Sequence, residues 1–280
     1  MNAAKTVMAR IVSAPGKRVP GVPEGLTLQT FVSEECGATG FSTGMATFQG
    51  GAELPYHTHT FSEAITILAG RSRVVVEGRE YQLTPLDSIH IPAGVAHCVR
   101  NAEPDTEMIT HWAFGSASPE RTFVSTDFPV ENRDFGAPER GDPETINRFA
   151  SCPVYELAEG ALFRDLFAGR FGAKGICGGY GRFAQGSSLP CHFHEYDESI
   201  TIVSGEAVCL VQGQKYKLSG CDTAFVPKRI PHRFLNQSDA EMAMLWVYAG
   251  DEPDRTLVDP RYCSGSLVWP SGQERNSQEF

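Results

Sequence analysis

Gly51-Ala-Glu-Leu-Pro-Tyr-His57-Thr-His59 returns 135 residues later as Gly186-Ser-Ser-Leu-Pro-Cys-His192-Phe-His194. The same shift lays Glu63 on Glu198, Gly70 on Gly205, His97 on His232 and Asn101 on Asn236, with 20 identities in the 58 ungapped positions of 44–101 against 179–236. Agreement of that density at one fixed offset marks an internal duplication. After Asn101 the offset becomes 134, so that Trp112 meets Trp246 and Pro119-Glu-Arg-Thr meets Pro253-Asp-Arg-Thr. The single deletion falls in the polar loop 102–106, where a change of length is tolerated.

Each copy consists of short β-branched and aromatic runs, such as 64–68, 72–77, 80–83 and 88–91, punctuated by turns such as Glu77-Gly78 and Gln212-Gly213. Helical periodicity is scarce, so the expectation is an all-β chain with one antiparallel sandwich or barrel per copy. Residues 1–125 are expected to form an N-terminal barrel unit and 151–280 a C-terminal one. Between them, 126–150 holds Pro129, Gly136, Pro138, Gly141 and Pro143 among many charges and reads as a linker. The ends 1–23 and 259–280 lie outside the repeat and either wrap the barrels or are exchanged in a homo-oligomer.

Histidines at i and i+2 on a strand share one face, which pairs His57 with His59 and His192 with His194. Glu63 and Glu198 follow four residues on, an even step. His97 and His232, each five residues after a proline, bring a third imidazole from a distant strand. Three neutral nitrogens and one hard oxygen suit a divalent transition metal such as Mn, Fe, Co, Ni or Zn, up to two ions per chain. Burying such a set without a cation would leave costly unsatisfied groups. His90 and His111 have Phe225 and Leu245 at their matching positions, and hydrogen-bonded core histidines are expected there. Trp112 and Trp246 read as core. Arg229, with Lys228 and Arg233, reads as a solvated turn beside His232.

At these residues the chain resembles the cupin superfamily, as a bicupin. The motif G-x5-H-x-H-x3-E-x6-G is met by Gly51, His57, His59, Glu63 and Gly70, and again by Gly186, His192, His194, Glu198 and Gly205. A second motif, G-x5-P-x-G-x2-H-x3-N, is met by Pro92, Gly94, His97 and Asn101 and by Pro227, His232 and Asn236, while Leu86, Cys221 and Arg229 replace its glycines. The resemblance implies two tandem jelly-roll β-barrels. It implies the metal ligands His57, His59, Glu63 and His97 in one and His192, His194, Glu198 and His232 in the other. Cupins with this set include quercetin-type dioxygenases, oxalate decarboxylases and non-redox isomerases, lyases and hydrolases. Oxalate decarboxylases carry an arginine three residues before the first histidine; Leu54 and Leu189 stand there instead.

Four protein ligands on a six-coordinate ion leave about two positions open, the arrangement of a catalytic metal. Phe48, Phe61, Phe183, Phe193, Tyr196 and Phe225 lie in or beside the motif strands and suggest an apolar lining without an arginine clamp. The reading is a metal-dependent enzyme acting on a small, oxygen-chelating organic molecule, of dioxygenase type, with Glu63 and Glu198 as catalytic residues. The alternatives are a metal-dependent isomerase, lyase or hydrolase, or a non-catalytic small-molecule-binding cupin.

Composition excludes other classes. Against 34 acidic residues stand 24 basic ones, a net charge of −10 with no basic stripe, so nucleic acid is not an expected partner. Apolar runs stop far short of the roughly 20 residues of a membrane helix. Residues 1–14 lack the apolar core of a secretory leader, which points to the cytoplasm. The eight cysteines include no C-x2-C pair, and reduced thiols are expected.

Overall fold

The computed structural model describes residues 10–12, 17–19, 21–125, 128–129 and 136–270. It is an all-β chain of four antiparallel sheets arranged as two barrels. In the first barrel a seven-stranded sheet runs in the order Thr145–Asn147, Ser88–Ile91, Glu63–Ala69, Met108–Phe114, Ser42–Phe48, Leu26–Val32, Lys17–Arg18. A five-stranded sheet faces it, in the order Thr122–Phe123, Glu53–Thr58, His97–Asn101, Ser72–Val76, Arg79–Leu83. Alternation along these strands puts Ile65 and Ile67, Val74 and Val76, Ile89 and Ile91 inward, where they pack with Tyr81, Met108 and Trp112. The second barrel repeats the plan, with Ile200, Ile202, Phe183, Met242, Met244 and Trp246 inside.

The barrels share material. Thr145–Asn147 pairs with Ser88–Ile91 of the first barrel, and Arg10–Val12, which stands 135 residues earlier, pairs with Thr223–Val226 of the second. Each copy thus sends its leading strand to the other's sheet. The expected linker 126–150 therefore contains a strand, and its stretch 136–147 is fastened by Glu144, whose buried carboxylate accepts from Arg79 at 2.7 and 2.8 Å and from Tyr81 at 2.6 Å. Residues 126–127 and 130–135 of that linker lie outside the described residues.

A third apolar cluster lies between the barrels: Phe31, Val32, Phe41 and Met45 from one side, Leu166, Phe167, Ile176, Phe225 and Val247 from the other. Around it the polar contacts are reciprocal. Thr39 donates from its backbone N–H and hydroxyl to Asp197 Oδ2, both at 2.8 Å, and the matching residues reverse the arrangement, Ser62 donating to the carbonyl of Lys174. His90 and His111 sit on the outer faces of their strands and are buried. His111 Nε2 lies 3.5 Å from Thr201 Oγ1, but neither ring nitrogen of His90 has a partner, contrary to the hydrogen-bonded role expected of it.

The cysteine expectation also needs correction. Cys191 and Cys263 form a disulfide that ties the short helix Pro260–Ser264 to the strand His192–Phe193, whereas the other six thiols are free. In the first barrel Tyr56, the counterpart of Cys191, instead packs its ring on Phe128 at 5.0 Å. No helix among the described residues is long and apolar enough to cross a membrane.

Candidate metal centres

The strands Glu53–Thr58, Glu63–Ala69 and His97–Asn101 bring His57, His59, Glu63 and His97 together, with one ligand atom from each within 4.8 Å of all the others. All four are buried. Register explains the meeting, since His97 is the cross-strand partner of His57. In the second barrel His192, opposite His232, joins His194 and His232 within the same limit. Glu198 stands alongside, its Oε2 2.7 Å from His232 Nε2 and 3.5 Å from His194 Nε2.

Every one of the six imidazoles is oriented the same way. Nδ1 of His57, His59 and His97 lies 2.7, 2.5 and 3.0 Å from the carbonyls of Pro55, Glu120 and Val95. Nδ1 of His192, His194 and His232 lies 2.7, 2.5 and 2.9 Å from those of Pro190, Asp254 and Ile230. A carbonyl oxygen only accepts, so Nδ1 carries the proton and, in the neutral ring, the Nε2 lone pair is left for the cluster. Burial, reinforced by His97 beside one and His232 beside the other, holds His57 and His192 well below the usual histidine range and keeps them neutral.

These donors fit a cation. Nε2 of His59, His194 and His232 and Oε2 of Glu198 are buried without a hydrogen-bond partner. Glu63 Oε2 lies 2.8 Å from His97 Nε2 and 3.1 Å from His59 Nε2, contacts between acceptors that require a proton or a cation between them. A proton serves one such pair, whereas a divalent ion serves every ligand atom of the group at once. Burial alone would push both carboxyls up, but His59 and His97 outweigh it and hold Glu63 well below the ordinary range, and His194 and His232 hold Glu198 below it.

The surroundings of the two centres differ. Beside His57 and Glu63 the first barrel encloses only about 20 Å³, room for about one water molecule, lined by Trp112, Phe114 and Arg121. Outside it, against His59, is an open cavity of about 400 Å³. Next to the second centre lies a cavity of about 350 Å³ lined by Tyr155, Phe163, Trp246, Tyr248, Asp254 and Arg255, and its Tyr248 and Asp254 touch His194 while the four residues of the metal group do not line it. Tyr248 packs on the His194 ring at 4.4 Å, where the first barrel has Phe114 on His59 at 4.7 Å. Burial and the nearby Glu198 carboxylate push the Tyr248 hydroxyl far up, so it stays a proton donor.

Much of the aromatic lining expected from sequence lies elsewhere. Phe225 is sealed between the barrels, Phe183 fills the second core, Phe193 packs near Trp269, and Phe61 stacks on His59 from a cavity between the barrels. Phe48 does line the first interior. Arg229 is an exposed turn residue paired with Glu195 at 2.7 Å. Sequence reasoning missed Arg121, Arg255 and Tyr248. The available signal was the repeated Pro-acid-Arg-Thr, whose acidic residue supplies the carbonyl that orients His59 or His194 and whose arginine then lines the cavity.

Residues 44–114 and 179–248, just over half of the chain, match the cupin domain family. A quercetin 2,3-dioxygenase of Bacillus subtilis (strain 168) is 23% identical over 251 residues, covering 75% of this chain and 74% of that protein. Among solved structures, a mutant of the Bacillus subtilis oxalate decarboxylase superposes with a TM-score of 0.74 at 16% identity, covering 91% of this chain and 81% of the other. Another structure of that enzyme, described by its Mn(II) centres, gives 0.73 at 16%, covering 92% and 81%. The formate complex of the Lactobacillus farciminis oxalate decarboxylase gives 0.72 at 15%, covering 92% and 90%. At these identities the superpositions speak for the fold.

Proposed function

Because the chain belongs to the cupin family in both of its halves, we propose that it is a metal-dependent bicupin enzyme of dioxygenase type. Its substrate would be a small organic molecule that chelates through oxygen. The likeness to quercetin 2,3-dioxygenase supports the reaction type. The observation that carries the reading is the second barrel, where a buried three-histidine group with Glu198 beside it is separated only by Tyr248 and Asp254, both in contact with His194, from a cavity large enough for a small organic ligand.

In this reading His57, His59, Glu63 and His97 hold one divalent ion and His192, His194, Glu198 and His232 the other. The ion would supply Lewis acidity and, when redox-active, a route for electrons to dioxygen. The chain's own groups do the rest. The six backbone carbonyls fix the imidazole tautomers. Glu198 Oε2, ionised and buried, accepts the acidic proton of an enol or hydroxyl-bearing substrate, and the Tyr248 hydroxyl can return one. Trp246, Tyr248 and Phe163 orient the substrate and keep water away. Glu63 faces an interior with room for about one water, and the first centre meets open space only on the His59 side.

Elemental analysis of protein loaded with Mn or Fe should give close to two ions per chain, and oxygen uptake with flavonols, catechols and β-diketones should separate dioxygenation from non-redox chemistry. Turnover without oxygen consumption would assign the chain to the lyase, isomerase or hydrolase class, and metal binding without turnover to a storage role. A cytoplasmic site of action belongs to the same proposal. It stands in tension with the Cys191–Cys263 disulfide, which thiol titration of native protein would check.

A further inference from the structure

Beside each metal group lies a guanidinium without a carboxylate partner among the described residues, that of Arg255 lying over the Phe163 ring at 6.0 Å from its centroid. Arg121 lines the first interior together with His57 and Glu63, and Arg255 lines the second cavity together with Trp246 and Tyr248. The Nε of each is buried without a hydrogen-bond partner, and neither arginine forms an ion pair among the described residues. Arg79, by contrast, is held by the Glu144 carboxylate. Both arginines are half-buried, and a guanidinium whose Nε–H is withdrawn from water without an acceptor costs free energy that a bound anion recovers. The indole N–H groups of Trp112 and Trp246, in the same two cavities, are also buried and unpartnered.

The backbone places these arginines. Glu120 and Asp254 give their carbonyls to His59 and His194, and the next residue turns its side chain to the cavity. Arg121 also borders the outer cavity that contains His59, so it stands between the outside and the enclosed first centre. This overturns the expectation of a site without an arginine. The arginines stand directly before the strands Thr122–Phe123 and Thr256–Leu257, far along the chain from Leu54 and Leu189.

Building on the metal-centre reading, we infer that the ligand of the second barrel is a monoanionic carboxylate with an aromatic or otherwise apolar body. It would be held at two points, its chelating oxygen toward the metal group and its carboxylate on Arg255. The planar guanidinium fork matches a carboxylate, and the apolar body matches Tyr155, Phe163, Trp246 and Tyr248. Arg170 also lines this cavity but is taken up by Asp165 and Glu252, and with Asp254 at its border the cavity disfavours polyanions.

Calorimetric titration with salicylate and salicylamide tests this, because the two probes share one chelating ring and differ in charge. Wild-type protein, metal-free and Mn-loaded, should bind salicylate about tenfold or more tightly than salicylamide. Arg255→Gln should bring the ratio to about one at unchanged Mn content, Arg255→Lys should keep part of it, and Arg121→Gln should leave it intact. Equal affinities in the wild type, or a preference that survives Arg255→Gln, would overturn the inference. If Arg255→Gln does not fold, the wild-type ratio and Arg255→Lys decide. A salicylate preference in protein that takes up no metal would overturn the metal reading and support the guanidinium. Two bound ions with no preference would do the reverse.

Discussion

His90 shows what a single buried side chain does to the whole. Burial pushes its pKa down to about 4, and neither ring nitrogen is hydrogen-bonded. The unfolded chain therefore holds more protons than the native one between about pH 6.5 and 4, so stability is full above that window and falls as pH drops through it. The shift corresponds to about 3 kcal/mol. His90→Leu should remove that part of the acid slope, measured as denaturant midpoints at pH 7.5 and 4.5, without loss at pH 7.5. A slope as steep as the wild type's would show that His90 is not the group responsible. At the centres, Glu198→Gln should lower kcat by about 100-fold or more at full metal occupancy, whereas Glu63→Gln should spare most of the turnover. Equal losses would mean two equivalent active sites. The six imidazoles were legible in sequence because spacing and duplication name them. Arg121 and Arg255 were visible as repeated residues, but which way a side chain turns depends on the register of a two-residue strand, and no local pattern sets that.

Elements were legible where alternation is strong. The strands Glu63–Ala69, Ser72–Val76, Arg79–Leu83 and Ser88–Ile91 lie where the β-branched runs place them. The second motif's missing glycines are informative here, because Leu86, Cys221 and Arg229 all adopt left-handed backbone, φ +70°, +71° and +61°. Side chains pay about 1–2 kcal/mol for that conformation. Leu86→Gly should accordingly raise stability by about 1 kcal/mol or leave it level, and clear destabilisation in urea would show that the Leu86 side chain is needed. Gly44 and Gly179 hold a different kind of necessity. Each pairs with a tryptophan on the neighbouring strand, and a Cβ there would lie 2.0 Å from the Gln29 carbonyl and 2.2 Å from Trp112, or 2.2 Å from the Arg164 carbonyl and 2.5 Å from Trp246. Gly44→Ala should cost about 1–3 kcal/mol through overpacking, read as a lower denaturant midpoint. An unchanged midpoint would show that the Gln29 backbone and the indole both give way freely.

At the scale of the molecule, the apolar cluster between the barrels and the exchanged strands make two barrels one cooperative body. Calorimetry should record a single transition with matching calorimetric and van't Hoff enthalpies, and two resolved peaks would contradict that coupling. The exchange was invisible in sequence, since Arg10–Val12 and Thr145–Asn147 are three residues each and share no motif. It also has a consequence for how the two centres came to differ. A protein made of one copy would present the same face twice across a two-fold axis, lend its leading strand to its twin, and bind any ligand at two identical sites. Tethering the copies in one chain keeps that pairing at an effective concentration in the millimolar range and removes the demand for identity. Tyr248 could then take a hydroxyl where Phe114 has none, and a disulfide could replace an aromatic contact at one end alone. The chain has the form of a pair whose halves need no longer match, and the different spaces beside its two centres are what that freedom permits.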